Sequence, residues 1–172
     1  VRLIIYAGAA IGLSLLKRAI AEINCDFTNF YGATETSAGV TVLSPGEHRL
    51  EDETALQSCG RPLPLVEIKV TGPDGSELPA GVVGEFLIRS PSLITGYLNQ
   101  PQTTASAFRD GWYHSGDCGY RDDRGLFYIV DRIKDVVKTG GEWVSSLDIE
   151  DLVLRMQGVA EVAVVGVPDD KW

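Results

Sequence analysis

Apolar positions along the chain keep two different periods, and the change between them divides it. Leu3-Ile4-Ile5-Tyr6 reads as a buried strand, and Ile11 to Ile23 carries apolar residues at helical spacing with Lys17, Arg18 and Glu22 on the polar side. Phe27 to Phe30 reads as a second short strand. Strand, helix and strand in that order make a unit of α/β type, which puts functional loops at the C-terminal ends of the strands. Those loops are Ala7-Gly8-Ala9-Ala10 and Tyr31-Gly32-Ala33-Thr34-Glu35-Thr36.

From about Gly60 the period shortens to two. Val66 to Thr71 alternates, Gly72-Pro73-Asp74-Gly75 is a turn signal, and Val83 to Arg89 alternates again, so antiparallel sheet is expected here. Gln100 to Phe108 predicts a short helix starting at Asn99 with Pro101 in its first turn. Trp112 to Tyr120 and Leu126 to Val130 are strands joined by a hairpin-like turn, Arg121 to Gly125. Ser145 or Ser146 then caps a helix running to about Met156, with Asp148 and Glu150 where the helix dipole favours acid. Gln157-Gly158 ends it, and Val159 to Val167 is expected as a strand. A helix and a strand cannot bury both faces alone, so they are read as the start of a second domain whose remainder is absent.

Composition narrows the class of function. Of 172 residues 44% are hydrophobic and 23% charged, ordinary for a soluble globular protein. A net charge of −9 disfavours non-specific binding to nucleic acid or an anionic membrane, while a local nucleotide site remains compatible with it. No apolar run approaches the about 20 residues that span a bilayer. Cys25, Cys59 and Cys118 are odd in number and widely spaced, which argues against a disulfide framework or zinc site and fits a reducing, cytoplasmic setting. The chain opens and closes on strand-like runs without an initiator Met, so both ends are expected to be cut.

Three stretches carry candidate chemistry. In Tyr31 to Ser37 an aromatic ring suits stacking on a base, a glycine lets backbone approach a ligand, and Thr with Glu suits phosphate oxygens and a hard divalent cation. The same residues also read as a polar turn with Thr as helix cap and Glu as first-turn acid. In Tyr113-His114-Ser115-Gly116-Asp117, an acid on a strand through the core either accepts two ribose hydroxyls or bonds neighbouring backbone amides. His114, without a visible partner, reads as structural or solvent-facing. Arg132 either forks onto ribose or phosphate oxygens or pairs with Asp131, Asp122 or Asp123. Lys138-Thr139-Gly140-Gly141 is not a P-loop, because the glycines follow the lysine.

YGATETS, YHSGD and DRIKDVVKTGGEWVSSLDIED, in this order and at these separations, resemble the adenylate-forming superfamily of acyl-CoA synthetases, nonribosomal peptide adenylation domains and beetle luciferases. GRPLP at Gly60 to Pro64, GEFLIRSP at Gly84 to Pro91 and GYLNQPQTTASAF at Gly96 to Phe108 extend the resemblance over essentially the whole chain. KTGGEWVSSLDIED looks closest to fatty-acid and medium-chain acyl-CoA ligases.

The resemblance implies an α/β plus β fold: the end of a large α/β subdomain over 1–58, a distorted antiparallel β-barrel subdomain over 59–131, a hinge at 132–135, and the start of a small α+β C-terminal domain over 136–172. It implies ATP or AMP, Mg²⁺ and coenzyme A as ligands and a small carboxylic acid as substrate. Backbone at Gly8, Ala9 and Ala10 would line the acyl and adenine pocket, with Gly32 beside Tyr31, which would stack on adenine. Thr34 would contact phosphate and Glu35 would hold Mg²⁺. Asp117 would bind the ribose hydroxyls, assisted by Arg132. Lys134 would be the hinge. Lys138 would swing in for thioester formation, with Gly140, Gly141, Glu142 and Trp143 lining the pantetheine tunnel. Catalytic work would thus fall to Thr34, Glu35 and Lys138. The family's upstream phosphate loop and its lysine near the C-terminus have no counterpart here. The chain is therefore expected to be a middle-to-late portion of a longer enzyme, inactive by itself.

Overall fold

The computed structural model describes residues 1–139 and 142–167, with backbone only at 138, 139, 142, 143, 147 and 148. Its first part is a strand-helix-strand unit: β1 (Leu3–Ala7), α1 (Leu13–Glu22) and β2 (Asp26–Gly32), with β1 and β2 parallel in register from Leu3 opposite Asp26 to Ala7 opposite Phe30. The apolar stripe of α1 closes onto the sheet through Leu16, which is buried with Phe27 and Leu56. Two features depart from expectation. Leu3 and Ile5 lie on an open face, 44% and 60% exposed, so β1 alternates rather than being buried throughout. The chain after Tyr31 does not enter an α-helix. It makes one 3-10 turn, Thr34–Thr36, and returns as β3 (Gly39–Leu43), antiparallel to β2.

A four-residue helix, α2 (Glu53–Leu56), follows, its N-terminus satisfied by Asp52 accepting from the Ala55 amide at 3.0 Å. The two-residue β4 (Arg61–Pro62) completes a sheet of order β1-β2-β3-β4. At Gly60 this sheet is stitched to the second one. Cys59 N donates to Phe127 O and Phe127 N to Gly60 O, both at 2.9 Å. Gly60 has φ +86°, and a Cβ there would sit 1.9 Å from the Val42 carbonyl oxygen, so the joint admits only glycine.

The second sheet is antiparallel and curled. It contains β5 (Glu67–Thr71), β6 (Gly84–Arg89), β7 (Phe108–Arg109), β8 (Trp112–Arg121) and β9 (Phe127–Arg132). Along β8, β6 holds one edge, while β7 and then β9 take successive stretches of the other. The helix α3 (Pro101–Ala107) starts after Gln100, one residue beyond the expected Asn99 start. Phe86, fully buried, meets Phe127 edge-on at 5.5 Å and Tyr31 at 6.1 Å between ring centres, so one side chain joins the core of the second sheet to the first.

Beyond β9 come β10 (Val137–Thr139), β11 (Glu142–Val144), which pair antiparallel, and α4 (Ser146–Leu154). Val159 to Val167 is not a strand. A strand needs a partner ladder, and here the Val164 amide donates to the Glu150 carboxylate at 2.8 Å, while Val165 and Val167 are exposed. Among the described residues no helix is long and apolar enough to cross a membrane.

Candidate functional site

A cavity of about 310 Å³ opens where the two sheets meet. The loop after β1 supplies Gly8, Ala9 and Ala10, whose small side chains leave backbone facing the space. The end of β2 supplies Tyr31 and Gly32, and the second sheet supplies Asp117, Asp131 and Arg132. Thr34, Glu35 and Lys134 are not among its walls.

Asp117 reaches the cavity because β8 is interrupted. Glu85 pairs with Cys118 and Leu87 with His114, so Ser115, Gly116 and Asp117 stand opposite Phe86 alone. Gly116 takes φ +71° within this bulge. Asp117 is buried, receives the Tyr31 hydroxyl at 2.6 Å on one oxygen and meets Arg132 Nε at 2.8 Å with the other. Burial pushes the Asp117 carboxyl above its ordinary range. The Tyr31 bond and the Arg132 charge pull it down, and Glu35 and Glu85 add to the upward push. Burial, then the Asp117 charge, drive the Tyr31 phenol far up, so it stays a donor. Arg132 therefore pairs with Asp117, not with the acids nearer in sequence.

Glu35 sits apart, half-buried on the 3-10 turn, where its neighbour Thr34 is exposed. The capping bonds come from Thr36, not Thr34: its hydroxyl accepts from Ala33 N at 2.9 Å. One Glu35 oxygen receives the Tyr97 hydroxyl at 2.5 Å, and its backbone carbonyl receives the Ile94 amide at 2.9 Å. Burial alone would raise the Glu35 carboxyl. Hydrogen bonds from Tyr97 and Tyr113 and the charge of Arg132 outweigh it and hold the group below the usual carboxylate range. An ionised oxygen donor fits a magnesium ion that arrives on phosphate, because Mg²⁺ is usually held by one or two carboxylates plus substrate oxygens. Among the described residues no cluster of three or more His, Cys, Asp or Glu forms a cage for a metal.

Following Arg132 the chain turns sharply, Arg132 O accepting from the amides of Asp135 and Val136, and Lys134 projects into solvent from that turn. Asp131 is buried under it. One of its oxygens receives the Arg132 amide at 2.7 Å; the other receives the amide and hydroxyl of Ser146 at 3.1 and 2.6 Å. The first residue of α4 is thus fastened to a wall of the cavity. Of the residues expected to serve thioester formation, Gly140 and Gly141 lie outside the described residues. Lys138, Glu142 and Trp143 are placed by backbone pairing alone, Lys138 opposite Trp143.

Sequence reasoning did not single out Tyr97, Glu85 or Asp131 as site residues. Tyr97 lay in a motif already noticed, but its partner is 62 positions away. His114 has partners after all: its Nδ1 lies 3.1 Å from Glu85 Oε2 and 3.0 Å from Arg109 Nη2.

Known proteins resemble this chain over nearly its whole length. Residues 1–98 match the family model described as AMP-binding enzyme. The fatty acid–[acyl-carrier-protein] ligase ScoC of Streptomyces coeruleorubidus is 40% identical over 98% of the chain and 32% of its own length. The medium/long-chain-fatty-acid–CoA ligase FadD8 of Mycobacterium tuberculosis is 40% identical over 97% of the chain and 29% of its own. The solved o-succinylbenzoate CoA synthetase MenE from Bacillus subtilis, in complex with its acyl-adenylate intermediate, superposes with a TM-score of 0.89. It is 33% identical, over 100% of this chain and 34% of that one. The chain spans about a third of the length of these relatives. Matched over more than half of its residues by that model, the chain belongs to the AMP-binding enzyme family.

Proposed function

We propose that the cavity between the sheets is the nucleotide side of an acyl-activating site. In this reading the protein that carries it converts a carboxylic acid and ATP to an acyl-adenylate, then passes the acyl group to the thiol of coenzyme A. The observation that carries this is the Tyr31–Asp117–Arg132 group on the wall of a cavity that Gly8, Ala9 and Ala10 also line. A buried acid with an arginine beside it suits paired ribose hydroxyls, a phenol ring suits a purine face, and side-chain-poor backbone leaves room for an acyl group.

In the first step a carboxylate oxygen of the acid forms a bond to the α-phosphorus of ATP, and the bond from that phosphorus to the bridging oxygen of pyrophosphate breaks. Two anions must be brought together, so charge on the departing phosphates must be neutralised; magnesium supplies this when bound. Glu35 would hold the ion, with Thr34 exposed beside it toward phosphate. In the second step the thiol gives up its proton to solvent, its sulfur forms a bond to the acyl carbon, and the bond from that carbon to the phosphate oxygen breaks, so AMP leaves with the bonding electrons. Lys134 would be the joint, in a hinge at 132–135, about which the segment bearing Lys138 and Gly140 to Trp143 presents a new surface to the adenylate. We take a fatty acid as the substrate, since KTGGEWVSSLDIED resembles fatty-acid ligases and two relatives bear that name. ScoC's name favours a second acceptor, a carrier-protein thiol.

Titration with AMP in a calorimeter tests the binding site, and pyrophosphate release by the full-length protein with ATP, Mg²⁺ and a panel of aliphatic and aromatic acids tests the chemistry, the chain by itself being expected to release none. Product formation with coenzyme A against a phosphopantetheinyl carrier protein separates the two acceptors. Binding of AMP no tighter in the wild type than in a D117A variant would overturn the assignment.

A further inference from the structure

The bulge that aims Asp117 is held by more than its own residues. Three residues facing one leave backbone groups without ladder partners, and each needs another. The Ser115 hydroxyl donates to Phe86 O at 2.9 Å and accepts from the Asp117 amide at 3.0 Å. The Gly116 carbonyl receives the Ile133 amide at 2.8 Å. The Gly116 amide is left, and it points at Glu85 Oε1, 3.4 Å away. The other oxygen of Glu85 stands 3.1 Å from His114 Nδ1, on the residue that enters the bulge. The Glu85 side chain is mostly covered, at 22% exposure, and is not part of the cavity wall.

We propose that Glu85 is a positioning residue for Asp117, its carboxylate bridging His114 and Gly116 so that the bulge keeps the turn that points Asp117 at the ligand. This rests on the reading of Asp117 as the partner of a ribose. A carboxylate at this place is otherwise unfavourable, since its charge adds to those pushing the Asp117 carboxyl upward. Two acceptor oxygens on one rigid group, spaced to meet a strand residue and a bulge residue together, are what offset that cost. With its Nδ1 proton donated to Glu85, His114 leaves Arg109 Nη2, 3.0 Å away on the neighbouring strand, as a nearby positive charge and not as a second hydrogen-bond partner of that nitrogen.

The test uses two ligands that differ by one hydroxyl, AMP and 3′-deoxy-AMP, titrated into the wild-type chain and into Glu85 variants. The wild type is expected to prefer AMP. In E85A the preference collapses toward unity through an about tenfold loss of AMP affinity, with 3′-deoxy-AMP bound as before. In E85Q the amide oxygen still accepts from Gly116, and its NH₂ donates to His114 Nδ1 once the imidazole proton moves to Nε2, so the preference survives within about threefold. Loss of exchange protection at the Gly116 amide in E85A reports the same change without any ligand. Should E85A not fold, E85M fills the space without the acceptors and carries the same expectation. An E85A or E85M chain with the wild-type preference and a protected Gly116 amide overturns the proposal. A wild type that binds both ligands equally overturns the ribose assignment of Asp117 instead, and is recognised by arising before any substitution.

Discussion

Asp117 and Glu35 are both carboxylates of the candidate site, and their surroundings drive them in opposite directions. Asp117 is buried on a strand bulge, and burial raises it although an arginine stands 2.8 Å away. Glu35 is half-buried on a one-turn helix, and two phenols hold it down. The contrast teaches that the nearest charge does not decide a carboxylate's behaviour; the balance of desolvation against hydrogen bonds does. A buried acid bounded by a phenol and an arginine suits fixed hydroxyls, and an ionised acid outside the cavity wall suits a mobile cation.

Removing each acid should separate the two roles. D117A is expected to have the largest effect, weakening AMP by about 10- to 100-fold, the range for a hydrogen bond to a charged group; calorimetry without metal reads it directly. E35Q should leave metal-free AMP binding within about twofold but remove roughly tenfold of the gain that Mg²⁺ gives to ATP. Equal losses in both titrations would erase the distinction. Y97F takes away one hydroxyl and keeps the ring, so the Glu35 carboxyl should move upward and Mg²⁺ affinity drop about threefold to fivefold. A carboxyl carbon followed by NMR through a pH titration shows the first, and Mn²⁺ relaxation the second.

The smallest effect is on stability against pH, and its sign differs between the two acids. Asp117, raised in the folded chain, holds a proton where the unfolded chain has lost it, so stability falls as pH rises from the ordinary carboxylate range through its raised value. Glu35, lowered, contributes stability above the ordinary range that is lost as pH falls through its lowered value. Urea unfolding across that interval should show D117N flattening the first slope and E35Q the second. The same slope change in both variants would mean that the acids titrate as one unit.

What the sequence revealed followed how local each feature's cause is. Strands β5 and β6 were located by the alternation of their residues, although Phe86 to Ile88 are all buried, and β8 and β9 by the turn that joins them. α1 carries its stripe within one stretch, and Gly72 to Gly75 holds its own turn chemistry. Val159 to Val167 has a strand's composition but finds no ladder, and composition does not report a partner's absence. β3 and α2 were not located at all: one is defined by pairing with β2, and the other is a single turn that four residues cannot sustain without packing Leu56 beneath α1. The resemblance named Tyr31, Asp117 and Arg132, which the fold brings together. Their contact spans 86 positions, and only the fold shows that Tyr31 donates to Asp117. Glu85 and Tyr97 escaped notice for the same reason, because each acts on a residue that only the folded sheet brings near.

Asp131 joins two things that are usually discussed separately. With one oxygen on the Arg132 amide and the other on the first residue of α4, it makes the posture of an arginine in the cavity and the seating of a helix outside it a single mechanical element. A ligand that shifts Arg132 and a change that unseats α4 thus act on the same carboxylate, and any coupling between them has the same size in both directions.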